Sequence, residues 1–310
     1  MKISKELVDY LTNQTGVKQR ELIEKDIYLH LLLKELEDSE YFRTNYVFKG
    51  GTCIIKCYLG YYRFSEDLDF SWINQQIFLN KTEKQIRKQL SEEITTLGKL
   101  LVQISEKLNL DFELNKQDQH YMEFGGSNKF VTFKLWYESI ELRTKQFIKI
   151  QINYVEKFSY KFRKLKVMGL FIDINKREFK FLYPDAAQIL SKPLAVLAYD
   201  IREIAAEKVR AILTRRGIKT RDFIDLYMIQ KHKNINIYEI EGQIVDKTLA
   251  MLKYEKYHKN LLEKSKHRPT FRTYDEEKLL LEPLDPQFLQ FINNFNKFID
   301  TLTTRILQNM

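Results

Sequence analysis

The chain has 310 residues, 44% hydrophobic and 30% charged, with a formal net charge of +9 and a pI near 9.2. It is long enough for two hydrophobic cores and lacks the polar, low-complexity make-up of a disordered chain. No run of about 18 apolar residues occurs, and the opening MKISKELVDYLTNQ has no apolar stretch behind its charges, so neither membrane insertion nor export is expected and the expected location is the cytoplasm.

Residues 5–36 carry helical periodicity through Leu7, Leu11, Leu22, Ile23, Ile27 and the leucines that follow, which predicts two packed helices. Residues 46–48 form a short apolar strand that ends at Gly50-Gly51, and residues 52–59 read as a helix opened by that turn. Residues 63–72 are a second strand, and apolar residues at threes and fours from Ile86 to Ile104 predict a long helix over 81–108. Strand-like runs follow at 110–114, 130–137 and 147–154, then a basic stretch at 155–164 read as a strand end or loop. Beyond about residue 181 strand-like alternation fades. Pro184 and Pro193 punctuate the change, which places a domain boundary there and predicts a domain of residues 1–180 followed by a helical domain of 181–310. In the second, residues 201–216 are amphipathic with Gly217 as a helix stop, Thr220 caps a helix over 221–231, and further helices span 238–262 and 286–308. The succession of strand, helix, strand, helix and further strands is that of an α/β sheet domain.

Cys53 and Cys57, the only cysteines, lie four apart on the expected helix, where a disulfide would constrain little. With no histidines beside them they make a poor zinc site, and reduced thiols are expected. The surplus of cations suits a polyanion such as RNA, DNA or nucleotide phosphates, although excess lysine is also a plain compositional habit.

The chemistry concentrates in VFKGGTCIIKCYLGYYRFSEDLDFSW, residues 47–72. In an extended strand, positions i and i+2 project to one face, so Asp67 and Asp69 can converge on one divalent cation. Gly50 and Gly51 let backbone N–H groups approach a phosphate at a helix start, and Thr52 adds a hydroxyl. An Asp-Leu-Asp alone is also a solvated turn, and a Gly-Gly pair a plain hairpin. Together they match what phosphoryl or nucleotidyl transfer needs: a phosphate cradle beside paired carboxylates. Further on, Lys208 lies beside the apolar stripe of its helix and can present a point charge, while Asp222 stands at a helix start.

FKGGT…RFSEDLDF, the upstream IEKDIYLHLLL and the downstream EKVRAILTRRGIKTRDFIDLYMI together resemble, in order, the AbiEii/AbiGii toxin family of nucleotidyltransferases, which includes the MenT-type toxins. The resemblance covers roughly residues 20–230. It implies a polymerase-β-like nucleotidyltransferase sheet domain with N-terminal helices, an α/β or α+β fold, followed by a mainly helical part. It also implies a metal-dependent enzyme that uses magnesium or manganese and moves NMP from an NTP to RNA, notably a tRNA 3′ end. Members act as toxins beside a cognate antitoxin, or in phage defence. By motif matching, Gly50, Gly51 and Ser65 surround the triphosphate, Asp67 and Asp69 hold magnesium, and Lys208 and Asp222 complete the site from the helical part.

The strand at 147–154 offers Gln151 and Asn153 where relatives of that fold carry a third carboxylate, so Asp222, Glu113 or Glu138 would have to supply it, or one metal would suffice. Lys56 and Arg63, with Tyr61 and Tyr62, are candidates to line an entry for RNA, and Arg268 lies in the basic, aromatic stretch YEKYHKNLLEKSKHRPTFRTY that fits a single-stranded RNA end. A solvated basic face reads equally well for the first group, the basic stretch reads better as a solvated helix end and loop, and Asp225 reads best as an ion pair between or within helices. The rival functions are nucleotidyl transfer to a protein hydroxyl, a metal-dependent nuclease, and a non-catalytic nucleotide or RNA binder.

Overall fold

The structure, a computed structural model, describes residues 1, 3–126, 128–171, 174–266 and 279–308, apart from the Lys266 side chain. His267, Arg268, Phe271 and Tyr274, offered above as RNA contacts, lie outside the described residues. The chain divides into two compact units, one of Met1–Glu156 with Phe162–Ala198, the other of Lys157–Lys161 with Tyr199–Met310.

The first unit opens with α1 (Lys5–Thr15), α2 (Arg20–Asp38) and α3 (Glu40–Asn45). β1 (Tyr46–Lys49) leads into α4 (Gly50–Cys53), continued by a π-helical turn at Ile54–Leu59, and β2 (Asp67–Trp72) returns antiparallel to β1. Then come α5 (Glu83–Leu108), β3 (Met122–Gly125), β4 (Phe130–Glu138), β5 (Lys145–Asn153), β6 (Arg163–Val167), α6 (Lys176–Leu182), α7 (Pro184–Leu190) and β7 (Leu194–Ala198). The seven strands form one sheet in the order β3-β4-β5-β2-β1-β7-β6.

Strand alternation sorts this sheet into two faces. Phe48, Leu68, Phe70, Ile150, Ile152 and Phe133 are fully buried on one face, each worth roughly 1.5–3 kcal/mol in transfer terms. On that side α2 packs against β2, β5, β7 and α5, and its Leu29, Leu32, Leu33 and Leu36 are fully buried. α5 is set by a capping box between Thr82 and Gln85 and stopped by Asn109 in the left-handed region.

Three expectations are corrected here. Residues 110–114 form no strand: after Asn109 the chain makes only a bridge, Asp111 with Trp136. The basic stretch near 163 is an edge strand, β6, and β7 carries residues 194–198 back into the sheet beside β1. The division of the chain therefore falls after Ala198 instead of near residue 181.

His30 on α2 is buried, and its imidazole pKa is pushed down to about 3, first by burial and then by the nearby Lys56 charge. A lowered folded-state value means that the unfolded chain binds the extra proton between about pH 6.5 and pH 3, so stability is lost as pH falls through that window. His30→Leu should remove this component. Urea midpoints compared at pH 7 and pH 5 should shift less in the variant than in the wild type, and equal shifts would refute the assignment.

The second unit holds α8 (Ile201–Thr214), α9 (Thr220–Lys233), a 3₁₀ turn at Ile237–Ile240, α10 (Glu241–Leu252), α11 (Glu255–Lys266) and α12 (Gln287–Gln308). The expected single helix over 238–262 is broken after Leu252, and Thr220 is the first residue of α9, not its cap, which is Lys219. The last carbonyls of α8 are satisfied from α11: Asn260 Nδ2 donates to Thr214 O at 2.8 Å, and Lys264 Nζ donates to Ile212 O. Gly217 lies beyond the Arg215 C-cap. The segment Lys157–Lys161 is tied to this unit by Glu203, whose Oε2 accepts the Ser159 and Tyr160 amides at 2.9 and 2.8 Å, and by Lys247, which donates to Lys157 O at 2.5 Å. Lys247 also meets Glu203 Oε1 at 2.5 Å, with both side chains 1% exposed.

Candidate active site

β1 pairs Lys49 with Asp69, and β2 pairs in parallel with β5 so that Asp67 stands opposite Lys149 and Asp69 opposite Gln151. Paired residues share a face, so Lys49, Asp67, Asp69, Lys149, Gln151 and Asn153 all project from the side of the sheet opposite the apolar core. The i, i+2 spacing of the aspartates thus does what an extended strand requires of it.

Directly after β1 the backbone turns at Gly50 with φ +78°, a conformation that costs a side-chain-bearing residue about 1–2 kcal/mol. There is also no room for one. A Cβ at Gly50 would lie 2.2 Å from Asp69 Oδ2 and 2.8 Å from Asp69 Cβ. The Asp69 carboxylate is therefore seated against the glycine turn itself. At Gly51 a Cβ would fall 2.6 Å from Arg63 Nη2 and 3.2 Å from Ser65 Oγ. The Thr52 hydroxyl lies 2.8 Å from Ser65 Oγ and 2.5 Å from the Asp67 carbonyl, which it can donate to. Gly50, Gly51, Thr52, Ser65, Asp67 and Asp69 are brought together as one cluster within the first unit.

Lys56 and Arg63 do not form an accessible basic entry, which corrects the expectation that they contact RNA. Lys56 is 1% exposed at its side chain, pairs with Asp26 Oδ1 at 2.7 Å and is hydrogen-bonded to the Tyr61 hydroxyl. Tyr61 donates to Asp26 Oδ2 at 2.9 Å, and burial pushes its phenol up. Buried Arg63 donates from Nη1 to Phe64 O at 2.6 Å and packs beneath Gly51. These cations hold the loop between the glycine turn and β2. A burial this complete requires a carboxylate partner, but Asp26 lies in α2, with α3, β1 and α4 between, and no local pattern pairs it with Lys56.

In the second unit Lys208 Nζ lies 2.8 Å from Asp222 Oδ1 and 2.6 Å from Asp225 Oδ2, and Arg215 Nη1 lies 2.8 Å from Asp222 Oδ2. Burial alone would raise the Asp222 carboxyl, but Lys208 and Arg215 outweigh it and hold the carboxyl below its usual range. The expected ion pair of Asp225 is present, with Lys208 as its cation. Asp225 is fully buried and joins α9 to α8.

The donor chemistry of Asp67 and Asp69 fits one hard divalent cation, with Asp69 held over the cradle that a Cβ would fill. Among the described residues no group of three or more His, Cys, Asp or Glu stands close enough to hold a metal. Gln151, opposite Asp69, donates instead to Thr132 Oγ1 at 3.2 Å, and Glu138 stands at the far end of β4, paired with Lys145.

A family model for the nucleotidyl transferase AbiEii toxin of type IV toxin–antitoxin systems matches residues 31–304. The chain belongs to this AbiEii family. The AbiEii match spans both units, and its α/β sheet with a helical second unit agrees with the nucleotidyltransferase fold expected above. No curated protein matches the chain. Among solved structures it is similar to JHP933 from Helicobacter pylori, with 16% identity, TM-score 0.44, 94% of this chain and 97% of that one covered. A candidate nucleotidyltransferase from H. pylori gives 16% identity, TM-score 0.44 and coverage of 95% and 99%. As an AbiEii protein the chain is a nucleotidyltransferase-family toxin whose family operates with an antitoxin. Among the described residues no helix is long and apolar enough to cross a membrane.

Proposed function

We propose that the protein transfers NMP from an NTP to an RNA acceptor, the 3′ end of a tRNA being the acceptor that the family resemblance suggests. The observation that carries this reading is the seating of the Asp69 carboxylate against the Gly50 turn, which joins an anion cradle to a cation-binding pair within one strand hairpin. Gly51 and Thr52 offer first-turn N–H groups and a hydroxyl to the triphosphate, and Ser65 adds a second hydroxyl beside them. Asp67 and Asp69 would hold the magnesium or manganese ion, which when bound neutralises charge on the phosphate oxygens.

The acceptor hydroxyl attacks the α-phosphorus in line, a new phosphodiester forms, and the bond to pyrophosphate breaks. The role of Lys208 as a point charge for the triphosphate is carried by the family resemblance alone; within its own unit its ammonium is held by Asp222 and Asp225. An antitoxin protein is the expected partner in the cell, where the enzyme acts in the cytoplasm.

Purified protein incubated with radiolabelled NTPs, magnesium and total RNA should label RNA, and an Asp67→Asn, Asp69→Asn double variant should not. Label on protein instead of RNA would replace the acceptor with a protein hydroxyl. Equal labelling by the double variant would sink the site assignment. One observation favours a second reading, a member that binds nucleotide without turnover: Gln151 occupies the position opposite Asp69 where a third carboxylate would stand. It predicts saturable NTP binding with no labelled product.

A further inference from the structure

The register of the sheet extends the face that carries the aspartates to the edge strand. Phe48 of β1 stands opposite Ala198 of β7, so Ala198 belongs to the apolar face and Leu197 and Ala195 to the other. β6 pairs Lys164 with Leu197 and Lys166 with Ala195. Lys164 and Lys166 therefore project from the same face as Asp67 and Asp69, at its outer margin.

Both lysines are exposed, and among the described residues neither has an ion pair. On the opposite flank Lys149, beside Asp67, rests over the Phe147 ring at 5.5 Å, and Lys134 follows on β4 with Glu123 as its partner. Charged side chains are a common defence of an edge strand against pairing with other chains. Lysine on the open face of an edge strand is what that defence supplies, and Val167 is buried on the other face. What the register adds is that both lysines share their face with Asp67 and Asp69.

We infer that Lys164 and Lys166 form a phosphate-binding margin for the backbone of the acceptor RNA. Three inter-strand steps separate β2 from β6, about 14 Å at 4.8 Å each, which is on the order of four stacked nucleotides at 3.4 Å each. A strand whose terminal hydroxyl reaches the aspartates and which runs toward β6 lays its upstream phosphates on the margin, passing above β1, whose Val47 and Lys49 are buried on this face. The contacts are to phosphate, so they supply affinity and register without reading sequence. The inference deepens the proposed transfer to RNA and rests on that reading for the position of the RNA end.

The test measures binding without catalysis. A fluorescently labelled single-stranded RNA oligonucleotide with a free 3′ hydroxyl is titrated with full-length protein at several salt concentrations, without NTP. The comparison is wild type, Lys164→Gln with Lys166→Gln, and a control pair on the exposed side of α5, Lys84→Gln with Lys88→Gln. Removing two phosphate contacts should lower the slope of log K against log salt by about 1.4, 0.7 for each contact on a single strand, while the control pair keeps the wild-type slope. NTP binding should be unchanged in both.

A wild-type slope in the Lys164, Lys166 variant, or no RNA binding by the wild type, overturns the margin, and in the first case an acidic protein surface becomes the partner to seek. Failure of nucleotidyl transfer is read separately: the Asp67→Asn, Asp69→Asn variant should lose label transfer yet retain the wild-type salt slope.

Discussion

Gly50→Ala should abolish nucleotidyl transfer, with a loss of at least about 10²-fold, while the protein stays folded. The methyl group would sit 2.2 Å from Asp69 Oδ2, so the carboxylate must swing away from the turn. A displacement of about 1 Å in a reacting constellation is enough for a loss of that size. Swinging the half-buried carboxylate does not clear Asp69 Cβ, which would lie 2.8 Å from the methyl group and is fixed to β2, so the backbone must shift too and the fold should lose more than the strain of φ +78°, about 1–2 kcal/mol, alone. Gly16→Ala separates the two effects. Gly16 has φ +70° but nothing within 4 Å of the place a methyl group would take, so that variant should lose only the backbone-strain part of the stability and keep full activity. Thermal melts together with RNA labelling decide it, and equal activity in the two variants would show that Asp69 does not need the turn.

Glu203→Ala should be the most destabilising single truncation in the helical unit, by about 3–5 kcal/mol. It leaves the Lys247 ammonium buried without its carboxylate and strips the Ser159 and Tyr160 amides of their acceptor. Replacing both members of the pair, Glu203→Leu with Lys247→Met, removes the stranded charge and should recover part of the loss. The remainder reflects the orphaned amides, at about 1–3 kcal/mol for each that stays unsatisfied. Urea unfolding of the single and double variants measures both numbers. A single variant within about 1 kcal/mol of wild type would mean that water replaces the carboxylate.

Much of this architecture could be read in advance wherever the determinants are local. The apolar spacing of α5 and α8, the alternation of β4 and β5, and the paired aspartates of β2 are all properties of short windows, and the structure keeps them. Gln151 was legible as the residue standing where the family resemblance places an acid, since alternation alone fixes its face. What was hidden depends on distant partners. β7 begins directly after a proline, and only its parallel pairing with β1 makes it part of the central sheet. β6 reads as charged loop because its lysines face outward and only Val167 is fully buried. Lys56 and Arg63 resemble surface cations until Asp26 and the Gly51 turn close around them. Lys208 was recognisable as a cation on an amphipathic helix, but its engagement with two carboxylates of α9 depends on how those helices cross.

The short tie made by Glu203 and Lys247 bears on modularity. Because residues 157–161 belong with the helical unit while 162–198 return to the sheet, the polypeptide passes from one unit to the other three times. The helical unit is therefore not a C-terminal cassette. A chimaera that joins a foreign helical segment after Ala198 would keep the native 157–161 stretch but lose the two side chains that tether it. Successful exchange requires either moving that stretch together with its new host or choosing a donor that supplies a glutamate and a lysine at the positions of Glu203 and Lys247.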